Sequence, residues 1–235
     1  MTRIPYRRPE EMPARARELT ARRGNLNVYR ALANAEKVFT SWMVAGDAAL
    51  SSPVLPRRLR ELIVLRTASA MDCPYELGQH RDVARTVGID PDTIDAVISE
   101  TGWQTDDLTP TELAVLHLTT ELVTTRRVAA PLFDRVHRAL GTEATVEALM
   151  VINRYAGLAL MLNALEVDLD ETARLPYRRR AEPNKAAPRS PISSGERAPP
   201  VICMMWHPSP SQPVCQSRTG SRWATPCSPK RACGR

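Results

Sequence analysis

The sequence predicts an all-α protein: a compact domain of about six to eight helices followed by a disordered C-terminal tail. Three observations lead there. Apolar residues between about 25 and 165 recur at helical spacing. Proline repeatedly sits just after a capping-type position, at Cys73-Pro74, Asp90-Pro91 and Thr109-Pro110, where its missing N–H costs a helix nothing. No segment alternates with period two, and no Asn-Gly hairpin signal occurs.

Taken in order, residues 1–24 are rich in Arg and Pro and read as an N-terminal extension with one short helix from Pro13 to Arg22. Asn25 to Leu50 reads as helical with an interruption near Ala33-Asn34, its apolar side supplied by Val28, Leu32, Val38, Trp42, Met43 and Ala49. Ser51-Ser52-Pro53 and Pro56 break the pattern. Leu59 to Ala70 is mostly apolar with Glu61 as its one acid, which is the composition of a helix buried on most sides. Pro74 opens the next helix and Gly88 closes it. Asp90-Pro91 starts a short helix to about Glu100, ended by Gly102. Thr109-Pro110-Thr111-Glu112 is a capping box and opens a helix to about Arg126. A further helix covers Pro131 to Leu140 and stops at Gly141. Thr142 then caps the last one, to about Leu165, with Val146, Leu149, Met150, Ile152, Leu158, Met161 and Leu162 as its apolar body.

Charge separates this domain, residues 25–175, from the C-terminal tail. The whole chain carries +6, but residues 176–235 hold 11 Lys/Arg against 2 Asp/Glu. That leaves the rest near −3, an ordinary solubility charge that gives the folded domain no nucleic-acid signature. The tail also holds 11 of the 20 prolines and Cys203, Cys215, Cys227 and Cys233, without periodicity. Such a segment buries too little apolar surface to offset its ordering entropy. No run of about 18 apolar residues and no signal-peptide core is present. The expectation is a cytoplasmic protein, not membrane-bound, whose Cys73 stays reduced.

The chemistry concentrates in Glu61 to His80. With Pro74 as the first helical residue, Cys73 is the N-cap, and the positive end of the helix favours its thiolate. Cys73, Glu76 and His80 then share one helical face. The structural alternatives are a capping-box role for Glu76, an i,i+4 surface pair of Glu76 with His80, and a buried inert thiol. Glu61 is harder to assign to structure alone, because acids are rarely buried without a partner. Arg58, Arg66 and Arg81 are the nearest cations for an anionic substrate, and Tyr75 and Tyr155 can line a pocket. A solvated helix face is the competing role for Arg81 more than for Arg66, whose neighbours are apolar. His117 reads as a core or interface histidine and His137 as surface. No metal-ligand spacing beyond the Glu76/His80 pair, no phosphate loop, no nucleophile elbow and no dinucleotide fingerprint occurs.

With those residues in view, positions 25–170 resemble the carboxymuconolactone decarboxylase family, which includes the alkylhydroperoxidase D-like proteins. The likeness rests on RELIVLRTA, CPYELGQH and ARTVGID, with lesser support from NVYRALANAEKVFTSW and LNALEVDLD. The resemblance implies a site of Glu61, Cys73 and His80, with the glutamate 12 residues before the cysteine and the histidine seven after it. It also implies a homo-oligomer, trimer or hexamer, with the site near a subunit interface. The second cysteine of the hydroperoxidase motif is Glu76 here, so the dithiol is incomplete and the decarboxylase-like branch is the nearer one.

Three functions are expected, in order. The first is a cofactor-free enzyme using acid–base chemistry on a small carboxylated lactone or related carbonyl acid. His80 would be the proton donor, and Glu76 or Glu61 would orient it. The second is a thiol peroxidase working through Cys73 alone, with an external thiol as reductant. The third is a non-catalytic small-molecule-binding or assembly module.

Overall fold

The computed structural model describes residues 2–99, 103 and 106–170. Among them are eight α-helices, one short 3-10 turn (Pro9–Glu11) and no strand. The helices are α1 (Ala14–Arg22), α2 (Asn27–Leu32), α3 (Glu36–Ser51), α4 (Arg57–Ala70), α5 (Pro74–Thr86), α6 (Pro91–Ile98), α7 (Pro110–Thr125) and α8 (Ala130–Leu165).

Helix α4 is the centre. Every residue from Leu59 to Ala68 is buried, because α4 packs against α5, α6, α7 and α8 at once. Its Ile63 and Val64 meet Val115 and Leu118 of α7 and Val151, Ile152 and Tyr155 of α8. Its Leu62 and Leu65 meet Ile94 and Val97 of α6 and Leu116 of α7. Each such side chain contributes about 1.5–3 kcal/mol of burial. A helix flanked on all sides needs no polar face, which is why the α4 sequence is so apolar.

The helix ends obey local chemistry. Asp90 accepts a hydrogen bond from the Asp92 amide (2.9 Å) at the start of α6. Thr109 and Glu112 cap each other reciprocally at the start of α7. Gly88 (φ 84°) and Gly141 (φ 77°) take left-handed backbone that other residues adopt at a cost. Gly141 interrupts α8 internally, so the chain breaks there and resumes helix at once. Thr142 turns its hydroxyl to the His137 ring (2.9 Å).

Four differences from the sequence-based expectation have clear causes. Residues 2–24 are part of the helical body, not an extension: Met12, Ala16 and Leu19 bury against Ala33, Phe39 and Met43, and the Arg3 amide donates to the Leu165 carbonyl (2.8 Å). Helix α3 starts after the break at residues 33–35, so Phe39, Met43 and Gly46 face inward and Val38 is 65% exposed. On α8, Val146 and Met150 face outward, because neighbours cover only one side of that helix. Helix α8 is also long and apolar enough, by composition, for a membrane span, yet its Val151, Ile152 and Tyr155 belong to the core. The expected stops at Glu100 and Gly102, the domain end at Leu175 and the C-terminal tail lie outside the described residues.

Candidate functional site

Helices α4 and α5 pack side by side, and this brings two residues 19 positions apart into contact. The His80 ring Nδ1 and the Glu61 carboxylate are 2.8 Å apart. Both are largely buried, their side chains 14% and 9% exposed. The Tyr155 ring meets the imidazole edge-on, centroids 5.0 Å apart. Glu61 thus engages one of the two ring nitrogens of His80. His80 lines a cavity of about 50 Å³, together with Tyr29, Trp42, Tyr75, Glu76, Gln79, Arg154 and Tyr155 among others. The volume suffices for a few waters or a small organic group.

Glu76, one turn before His80, is 2% exposed, and neither of its carboxylate oxygens has a hydrogen-bond partner. Burial pushes its carboxyl up to about 8, against the pull of the Arg154 guanidinium. It is neither a solvated surface pair nor a capping residue. Of the two acids, Glu61 is held by the imidazole behind His80, whereas Glu76 lines the pocket itself with its carboxyl kept largely neutral near pH 7 by burial.

Cys73 occupies the N-cap position of α5 as its spacing predicts, but burial opposes the expected thiolate. The thiol is fully buried with Leu26, Val28, Leu158 and Leu162. Burial pushes it up to about 11, outweighing the Glu76 and Tyr75 backbone N–H groups that lower it. It is not among the groups lining the cavity.

The expected substrate cations lie elsewhere. Arg66 is buried, donating to Thr120 Oγ1 (2.9 Å) and to the Val97 and Ser99 carbonyls (3.1 and 2.8 Å), with its guanidinium over the Trp103 ring. It ties α4 to α6 and α7. Arg58 binds Glu112 (2.9 Å), Asp107 (2.7 Å) and the Gly88 carbonyl (3.1 Å) at the start of α7. Arg81 pairs with Asp95 at the surface. Tyr75 does line the cavity; its hydroxyl accepts from the Val28 amide and donates to Asp170. His117 is exposed on α7 with its ring against Trp103 (4.9 Å), not in the core.

Two cations line the pocket, Arg154 and an Arg23 paired with Asp47, and sequence reasoning singles out neither. The Arg154 guanidinium stacks on the Trp42 ring at 4.0 Å and donates to the Trp42 carbonyl (3.2 Å). The guanidinium also fills the space where a side chain at Gly46 would begin. A lone arginine within the apolar run Val151-Ile152-Asn153-Arg154-Tyr155 is the signal that could have found it. No group of three or more metal-ligating side chains occurs among the described residues.

A sequence profile of the carboxymuconolactone decarboxylase family matches residues 36–121, the segment that contains Glu61, Cys73, Glu76 and His80. This segment belongs to that family. No curated protein matches the chain by sequence. Solved structures share the helical fold. One is an uncharacterized peroxidase-related protein with an alkylhydroperoxidase AhpD core from Ralstonia eutropha JMP134, 21% identical, TM-score 0.63, spanning 72% of this chain and 93% of that one. Another is a cysteine-to-alanine variant of the debrominase Bmp8 in complex with 2,3,4-tribromopyrrole, 16% identical, TM-score 0.62, spanning 73% and 93%. A third is a protein of unknown function from Agrobacterium tumefaciens, described as a putative antioxidant defence protein AhpD. It is 19% identical, TM-score 0.52, spanning 59% and 94%. At these identities the likeness is one of fold.

Proposed function

We propose that this chain is an acid–base enzyme of the decarboxylase-like branch, acting on a small carboxylated lactone or related carbonyl acid. The observation behind it is the buried Glu61–His80 bond (2.8 Å) at a pocket that also holds the neutral acid Glu76. In the reaction, the bond from the substrate carbon to its carboxylate breaks and carbon dioxide leaves. The electron pair passes into the adjacent carbonyl system as a dienolate, and His80 delivers a proton to the carbon. Glu61 holds the imidazole through Nδ1 and stabilises it while it is charged. Glu76 donates a hydrogen bond to the developing enolate oxygen, a role open only to a protonated carboxyl.

The thiol route is the weaker reading, because a fully buried sulfur with a raised pKa is a poor nucleophile. The homo-oligomer is part of the proposal and is supported by the exposed apolar side chains Val38, Val44, Val146, Met150 and Leu160. The test is carbon dioxide release from a panel of carboxylated lactones and β-oxo acids, alongside hydroperoxide consumption with a small-molecule thiol present. Turnover of a panel acid that falls at least about 100-fold in His80→Ala is expected. Rapid hydroperoxide turnover abolished by Cys73→Ser would replace this reading with a single-cysteine peroxidase.

A further inference from the structure

Three polar groups in the pocket lack what buried polar groups need, and they are complementary. Arg154 is a partly buried guanidinium whose polar contacts among the described residues are the ring and carbonyl of Trp42. The neighbouring acid, Asp47, is already paired with Arg23, so its charge reaches Arg154 only at a distance and without a direct ion pair. Gln79 is 5% exposed; its Nε2 donates to Asp170 Oδ2 (3.1 Å), which fixes the amide orientation because a carboxylate can only accept. Gln79 Oε1 is consequently left without a donor, on a side chain that lines the pocket. Both oxygens of Glu76 are in the same condition, at 2% exposure. A charge or acceptor left unpaired in such a place costs stability unless a ligand completes it.

We propose that Arg154, Gln79 and Glu76 bind a small hydroxycarboxylate, or the enol form of an oxo acid, with its carboxylate on Arg154 and its hydroxyl held between Gln79 and Glu76. The hydroxyl donates to Gln79 Oε1 and accepts from the protonated Glu76. The carboxylate supplies the anion that the chain withholds from Arg154, and the guanidinium fork takes it by two parallel hydrogen bonds. Trp42 fixes that fork from one side, and the absence of a side chain at Gly46 makes room for it. The inference rests on the same pocket being the catalytic one, and it specifies which acids that pocket selects.

Calorimetric titration of the full chain tests it with lactate and 3-hydroxybutyrate, their deoxy counterparts propionate and butyrate, and the neutral lactamide. Saturable binding of a hydroxy acid is expected, weaker by about tenfold for the deoxy acid and undetectable for the amide. Arg154→Gln and Gly46→Ala should each weaken carboxylate binding by at least about tenfold. The second reaches the guanidinium only by displacing it, so it guards against a folding defect in the first. Gln79→Leu should remove the preference for the hydroxyl. The readout is binding alone, so the site is read separately from turnover. Absence of saturable binding in the unmodified chain, lactamide bound as well as lactate, or affinity unchanged in both Arg154→Gln and Gly46→Ala would each overturn the proposal.

Discussion

At the scale of single residues, Glu76 makes stability depend on pH in a direction that can be fixed in advance. Its carboxyl sits at about 8 in the folded chain against an ordinary 4.5, so between those values the folded state binds the proton more tightly than the unfolded one. Stability is therefore greatest below about 4.5 and falls as pH rises through 8. At about 1.4 kcal/mol per pH unit, the loss is on the order of a few kcal/mol. Urea midpoints measured from pH 5 to 9 should decline, and Glu76→Gln should flatten that decline. An unchanged slope in the variant would mean that the carboxyl is solvated in solution. Cys73 gives a second residue-scale expectation. With a thiol at about 11, about one molecule in ten thousand is thiolate at pH 7. Iodoacetamide should label the native chain far more slowly than the urea-unfolded chain, and Cys73→Ala should retain turnover.

At the scale of elements, the glycines separate two kinds of constraint. Gly88 ends α5 with φ 84° and nothing within 4 Å of a would-be Cβ. The cost of Gly88→Ala is therefore backbone strain alone, about 1–2 kcal/mol, read as a lowered melting temperature with unchanged ligand affinity. Gly46 lies inside α3, and a Cβ there meets the movable end of Arg154. Gly46→Ala should leave the melting temperature nearly unchanged while weakening substrate binding. The two substitutions thus give opposite patterns, and unchanged affinity in Gly46→Ala would show that Arg154 does not contribute to binding. The α7 capping box is legible for the opposite reason: Thr109 and Glu112 satisfy each other within one turn, so sequence spacing alone specifies the contact.

At the scale of the whole molecule, two buried polar contacts hold separate elements in place. Arg66 joins α4 to the C-terminal end of α6 and to α7. Arg66→Ala leaves two carbonyls and the cation's cavity unfilled, and should cost about 2–4 kcal/mol without changing KM. Asp170 ties the segment after α8 to Tyr75, Gln79 and the Asn27 amide (2.8 Å). It thereby braces one wall of the pocket. Asp170→Asn should raise KM several-fold more than it lowers kcat, a split that steady-state kinetics on any panel substrate reads directly.

The sequence by itself determined what depends on neighbours along the chain. It specified the all-helical class, the caps at Cys73, Asp90 and Thr109, the breaks at Gly88 and Gly141, and a buried α4 with one acid needing a partner. These are problems of local hydrogen bonding and of helical period, and both are written within a few residues. The tertiary structure decided which groups meet. It joined Glu61 to His80, withdrew Arg58 and Arg66 into structural contacts, buried Cys73 behind the pocket's apolar wall and placed Arg154 in the pocket's lining. The physical reason is the same in each case. Desolvation and charge pairing are set by atoms brought from distant helices, so the state of a thiol or a carboxyl depends on the packing around it more than on its place in a motif.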